Sequence, residues 1–231
     1  MSMKFGKTKG TEGLLKLTKF GVAMLIFGDI RPLKYLEKQS KYYNLLRRRH
    51  FAALSDLIVS HHPDLFCLTE TWVKNSTTCT ELAQCTPPNY TFLNIPRVSS
   101  KGNSSTVVGG GTDFLIRESF TQLSTSMSQF SSFELSSVTL KLPQSKISFF
   151  NIYRPPSSSS FSKPFSLFLD EFNSFLSVAA TTPHEFVITG DFNIHLDNSS
   201  DHATSQFLSV LSSFNLTQHV NFLNSQQKPH S

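Results

Sequence analysis

Asp191 and Asn193 stand two residues apart, directly behind the run Phe186-Val187-Ile188-Thr189-Gly190. The four residues before the glycine read as a short buried strand. Gly190 lets the backbone turn sharply, so the carboxylate and the carboxamide sit at the strand's carboxyl end. Groups so placed can hold a divalent cation, a water or a phosphate oxygen. Two other apolar runs end in the same way. Leu65-Phe66-Cys67-Leu68-Thr69 delivers Glu70, and Ile147-Ser148-Phe149-Phe150-Asn151-Ile152 delivers Tyr153. Alone, each residue has an ordinary reading: a solvated loop carboxylate, a packed aromatic, an Asx turn. Together they suit metal-assisted cleavage of a phosphodiester. A phosphodiester is anionic and repels its nucleophile, and a divalent cation offsets that repulsion. Mg²⁺ keeps several of its waters, so one or two carboxylates suffice. Glu70 is then the candidate direct ligand. Asp191 would orient or deprotonate the attacking water, with Asn193 fixing its position. The Tyr153 hydroxyl would donate to a non-bridging oxygen as charge develops.

These groups need strands to aim them and helices to cover the strands. Val22-Ala23-Met24-Leu25-Ile26-Phe27 reads as a first buried strand, ending at Gly28-Asp29. Apolar residues recur at helical spacing from Leu45 to Val59, and Pro63 ends that helix just before the Glu70 strand. Strand, helix and strand in this order predict a parallel crossover unit. Tyr90 to Leu93 and Thr112 to Ile116 are further strands. Val138, Leu140 and Leu142 alternate with polar residues, as in a half-buried strand. Pro164 suits the first position of a helix carrying Phe165, Phe168, Leu169, Phe172, Phe175 and Leu176 on a broad apolar stripe. A last helix runs from about His202 to Ser213. The alternation predicts an α/β chain: two sheets flanked by helices.

The 231 residues fit one large domain, with residues 1–20 as a flexible basic leader and 21–231 as the folded unit. Phenylalanine dominates the aromatics, 22 against 1 Trp and 5 Tyr. Cys67, Cys79 and Cys85 are odd in number and widely spaced, which gives neither a disulfide framework nor a CxxC metal site. A reducing intracellular compartment, nuclear or cytoplasmic, is the simpler expectation. No run approaches the roughly 20 apolar residues of a membrane-spanning helix, so no membrane partner is expected. The net charge of +5 is compatible with a polyanionic partner. Lys34, Lys38, Lys41, Arg47, Arg48 and Arg49 crowd around the single acid Glu37.

Leu68-Thr69-Glu70-Thr71-Trp72, Asn151-Ile152-Tyr153-Arg154-Pro155-Pro156 and Gly190-Asp191-Phe192-Asn193-Ile194-His195 resemble motifs of the endonuclease/exonuclease/phosphatase superfamily. More narrowly, the chain resembles the apurinic-endonuclease-like domain of LINE-type (non-LTR) retrotransposons. The resemblance implies a four-layer α/β sandwich and DNA nicking with Mg²⁺ or Mn²⁺. It implies Glu70 as the metal carboxylate, Tyr153 as the phosphate contact, and Asp191 and Asn193 as the water-activating pair. Asp29 and Asp191 join Glu70 as candidate metal ligands. Arg47, Arg48, Arg49 and Arg154 are candidate DNA contacts, and no small-molecule cofactor is implied.

The chain departs from the family pattern in two places. Asp29-Ile30-Arg31-Pro32 stands where the family carries Asn-x-Arg-Ser. The family also continues past the position of Ser231, through a Leu-Asp-Leu strand to Ser-Asp-His. The expectation is therefore a domain truncated at its carboxyl end, without its last strands, and weak or inactive as a fragment. Ser200-Asp201-His202 spells the same triplet but directly precedes a helical repeat, so Asp201 is expected to cap that helix. Two other readings stand beside the nuclease: a non-catalytic basic domain binding nucleic acid, and a phosphoesterase of the same superfamily acting on small molecules or lipid head groups.

Overall fold

The computed structural model of the chain describes residues 51–71, 73, 82–83, 86–95, 110–159, 162–196 and 200–216, with the strand backbones 2–4, 14–17 and 22–25. In chain order the elements are β1 (Ser2–Lys4), β2 (Leu14–Leu17), β3 (Val22–Leu25), α1 (Phe51–His61), β4 (Leu65–Thr69), β5 (Tyr90–Leu93), β6 (Thr112–Arg117), β7 (Thr121–Gln129), β8 (Glu134–Lys141), β9 (Lys146–Tyr153), α2 (Phe165–Ala179), β10 (Glu185–Asp191) and α3 (His202–Ser213). They form an α/β sandwich of two sheets with helices, as the sequence led us to expect. The larger sheet runs β1-β2-β10-β9-β8-β7 and the smaller β3-β4-β6-β5.

Alternation within the strands decides which face meets which layer. Ile147 and Phe149 of β9, Val138 and Leu140 of β8 and Val187 of β10 face the smaller sheet. There they pack on Leu65 and Cys67 of β4 and on Phe114 and Ile116 of β6. Cys67 is the small core hydrophobe its setting suggested. The intervening residues Ile152, Phe186 and Ile188 face the other way. They meet Phe168, Phe172, Phe175 and Leu176 of α2 and Phe207 and Leu211 of α3. This second core is mostly phenylalanine, with rings of α2, α3 and Phe192 between 5.2 and 6.3 Å apart. Such ring pairs add about 0.5–1.5 kcal/mol each beyond their buried area.

Three expectations are corrected by the topology. First, β3 and β4 pair antiparallel, not as a parallel crossover. Residues 26–50 separate β3 from α1, enough chain to return from either end of the sheet. Second, Pro164 lies one residue outside α2, in extended backbone with φ −50° and ψ 140°. Third, Gly190 does not end its strand in a turn, because β10 continues through Asp191. Glycine is needed there for another reason. Its φ is +142°, and a Cβ would stand 1.8 Å from the Ile152 carbonyl oxygen of the neighbouring strand. Two strands, β1 and β2, also fall inside the expected leader, with β2 running parallel along the edge of β10. A strand edge of unpaired amides and carbonyls accepts such a partner readily.

Candidate active site

The parallel pairing of β9 with β10 sets Asp191 opposite Tyr153, and the antiparallel pairing of β8 with β9 sets Glu134 opposite Tyr153. Glu134, Tyr153 and Asp191 therefore form one row across the carboxyl end of the larger sheet. Glu70 arrives from the other sheet, one residue past the end of β4. The Tyr153 hydroxyl donates to Glu70 Oε1 at 2.6 Å and so ties the two sheets together at the site. One row deeper, Asn151 lies between Ser136 and Thr189, and its Nδ2 donates to the Leu68 carbonyl at 2.7 Å. These two bonds start on β9 and end on β4 or the residue after it. They hold the Glu70 strand end against the Tyr153 strand end.

Carboxylates crowd this edge. Burial, then the Glu70 charge, push the Asp191 carboxyl up to about 7, against the opposing pull of the Asn193 amide and the Arg154 cation. Asp191 keeps some exposed surface at the strand end while most of its surroundings are protein. Burial and the hydrogen bond to Glu70 push the Tyr153 phenol well above its ordinary value, with the charges of Glu70, Asp191 and Glu134 adding to the effect. The phenol thus stays protonated and remains a donor. Two residues here hold left-handed backbone without being glycine: Glu70 at φ +53° and Asn193 at φ +48°. Asn tolerates that region. Glu does not, at a cost of about 1–2 kcal/mol, and such strain gathers at functional sites.

Asp191, Phe192 and Asn193 form a turn held from several sides. Asp191 Oδ1 accepts from the Asn193 amide at 3.0 Å, which closes an Asx turn. The Asp191 carbonyl accepts from the Arg154 amide at 2.9 Å. Asn193 Nδ2 donates to the Arg154 carbonyl at 2.7 Å. Phe192, 4% exposed, drives its ring into the phenylalanine core beneath. The plain reading of Asp-x-Asn as a turn holds in this geometry.

Arg154 occupies a different place from that of a phosphate contact. It is 6% exposed. Its guanidinium lies over the rings of Phe165 and Phe168, at 5.1 and 5.0 Å from their centres. Its Nη1 donates to the carbonyls of Phe192 and Asn193, at 3.1 and 3.4 Å. The alternation of β9 explains this: Tyr153 faces the smaller sheet, so Arg154 faces the helices.

Sequence reasoning passed over Glu134, Asn151 and Asp113. Glu134 Oε2 accepts from the Gly111 amide at 2.7 Å. Gly111 has φ +100°, and a Cβ there would come within 2.4 Å of Thr71 Oγ1. Asp113, 1% exposed, accepts from the Ile95 amide at 2.8 Å, and burial pushes its carboxyl up to about 6. The signal for Glu134 was an acid four residues before the alternation of Val138, Leu140 and Leu142, but nothing local says that β8 pairs with the Tyr153 strand. Asp29, Arg47, Arg48, Arg49 and Trp72 lie outside the described residues. Asp201 caps α3, its Oδ2 accepting from the Thr204 amide at 3.0 Å, as its position before the helical repeat suggested.

Glu70 and Asp191 offer hard carboxylate oxygens from two strand ends, which fits a hydrated divalent cation that needs one or two such ligands. Among the described residues no group of three or more His, Cys, Asp or Glu is placed to hold a metal ion.

Comparison with known proteins bears on this arrangement. The structure is similar to that of AP endonuclease LMAP from Leishmania major, with TM-score 0.50 and 18% identity, covering 74% of this chain and 63% of that one. It is also similar to the human Nocturnin catalytic domain, with TM-score 0.49 and 14% identity, covering 71% and 63%. TDP2 of D. rerio, complexed with single strand DNA product, gives TM-score 0.46 and 13% identity, covering 69% and 56%. The chain thus spans less than two thirds of the length of each, and identities this low speak of fold alone. No curated protein matches the sequence. The sequence model described as Endonuclease/Exonuclease/phosphatase family matches residues 42–225, a span that takes in Glu70, Tyr153, Arg154, Asp191 and Asn193. By that match, over well more than half its length, the chain belongs to the Endonuclease/Exonuclease/phosphatase family.

Proposed function

We propose that this protein is a divalent-metal-dependent phosphodiesterase that nicks DNA, the endonuclease domain of a non-LTR retroelement. The observation that carries the reading is the hydrogen bond between Tyr153 and Glu70 across the two sheets. It joins a phenol held as a donor to a carboxylate, with Asp191 beside them in strand register. Glu70 and Asp191 are the residues that would hold Mg²⁺ or Mn²⁺, and Asp29 is the further candidate. The cation supplies positive charge that offsets repulsion between phosphodiester and nucleophile.

The chain's own groups do the rest. Asp191 takes the proton of the attacking water, and a base near neutrality suits that task. Asn193, fixed by its bond to Arg154, orients the water. Tyr153 donates to the non-bridging oxygen on which charge accumulates. DNA as partner is supported by the +5 net charge and the basic run that includes Arg47, Arg48 and Arg49. The retroelement assignment rests on the resemblance of Tyr153-Arg154-Pro155-Pro156 and Gly190-Asp191-Phe192-Asn193 to those domains.

Relaxation of supercoiled plasmid in Mg²⁺, compared between the chain and Asp191→Asn, tests the reading. The variant keeps size and loses charge, and its rate falls by about 10²-fold or more at equal folded fraction. Equal and measurable rates for the two proteins would reject the assignment of Asp191. Cleavage of bis(p-nitrophenyl) phosphate with none of plasmid would move the reading to small phosphoesters.

A further inference from the structure

Arg154 touches all three residues of the Asp191 turn. Its amide donates to the Asp191 carbonyl at 2.9 Å, its Nη1 donates to the Phe192 and Asn193 carbonyls at 3.1 and 3.4 Å, and its own carbonyl accepts from Asn193 Nδ2 at 2.7 Å. The main-chain bonds would survive with another residue at this position; the guanidinium bonds would not. The guanidinium is itself packed on Phe165 and Phe168, 5.1 and 5.0 Å from their ring centres. Phe168 also meets the Phe192 ring at 6.3 Å. The same aromatic floor therefore supports the clamp and the residue being clamped. Without the guanidinium the Phe192 and Asn193 carbonyls would need other donors, and Arg154 supplies planar ones that a lysine cannot match. Asn193 sits at φ +48°, a left-handed conformation that asparagine tolerates, and both its carbonyl and its carboxamide bond to Arg154.

We propose that Arg154 is a positioning residue, which locks the Asp191-Phe192-Asn193 turn from the helix side and so fixes the direction of the Asp191 carboxylate and the Asn193 carboxamide. It acts through those groups and does not itself touch the phosphodiester. The catalytic consequence rests on the function proposed above, while the mechanical claim does not.

The experiment uses Arg154→Lys, which keeps the charge and loses the fork, with two readouts. Heteronuclear NMR follows the Asn193 backbone and side-chain amides without any substrate. Plasmid nicking in Mg²⁺ separates kcat from KM. The proposal expects the Asn193 amide signals to shift and to lose protection from exchange, while signals of β4 and α3 stay in place. It expects kcat to fall by about 10²-fold, in keeping with a misplacement near 1 Å, with KM for DNA within about twofold, since Arg154 makes no phosphate contact in this geometry. Unchanged Asn193 signals overturn the clamp, whatever the activity does. A raised KM with unchanged kcat overturns it in favour of a DNA contact. Asn193 signals that shift in Arg154→Lys, while the wild-type chain nicks nothing, uphold the clamp and count against the function proposed above. Should Arg154→Lys fail to fold, Phe165→Leu takes its place: it keeps Arg154 and removes one ring beneath the guanidinium, and the same Asn193 signals shift if the clamp is real and stay if it is not.

Discussion

Gly190 shows how one residue can be required by its neighbour. Its Cα faces the Ile152 carbonyl so closely that any Cβ overlaps it, and its φ of +142° disfavours every other L residue. Gly190→Ala must therefore separate β9 from β10 at the row holding Tyr153 and Asp191. We expect a loss on the order of 4 kcal/mol or more, the range of steric overpacking at a special backbone position. Urea unfolding measures it, and a loss below about 1 kcal/mol would show that the strands give way easily. At this scale Glu70, Tyr153, Asp191 and Asn193 were legible because each follows an apolar run at its carboxyl end. The reason for Gly190 was not legible, since it lies on another strand. Nor was the place of Arg154, whose charge suggested a surface. The side alternation of β9 sends it beneath the phenylalanines instead.

Elements were read well where apolar residues set the period. α3 spans His202–Ser213 as its spacing indicated, and α2 extends its stripe to Ala179. β7, Thr-Gln-Leu-Ser-Thr-Ser-Met-Ser-Gln, was missed because it is an edge strand with little to bury on either face. Pairing direction was missed at β3 because a helix between two strands does not by itself force them parallel. One contact between elements gives a pH test. Glu171 of α2 receives the amides and hydroxyls of Ser131 and Ser132 at the turn between β7 and β8. Burial works to raise its carboxyl, but the bonds from Ser132 and Ser131 outweigh it and hold the carboxyl below its usual range. A depressed folded-state value means stability that is present above the unfolded pKa of about 4.3 and lost as pH falls through the folded value. Glu171→Gln is thus expected to cost about 1 kcal/mol at pH 7, discounted for solvent exposure. The difference in Tm between the variant and the parent should close in acid. A difference independent of pH from 7 to 3 would assign the effect to shape rather than charge.

At the scale of the whole molecule, the described residues form two sheets whose strand ends meet, each contributing residues to the candidate site. Hydrophobic pattern gave the layers; it could not give the join, because the bonds of Tyr153 to Glu70 and of Asn151 to Leu68 connect residues 83 positions apart. On the function proposed above, this join would hold a divalent cation on Glu70, with Asp191 beside it. Mn²⁺ binding, followed by electron paramagnetic resonance of the free ion during titration of the full chain and of Glu70→Gln, tests that most directly. The account predicts saturable binding of about one Mn²⁺ per chain, weakened by at least about tenfold in a folded Glu70→Gln protein, in line with loss of one of only one or two carboxylate ligands. Equal Mn²⁺ affinity for the parent and the variant would contradict it.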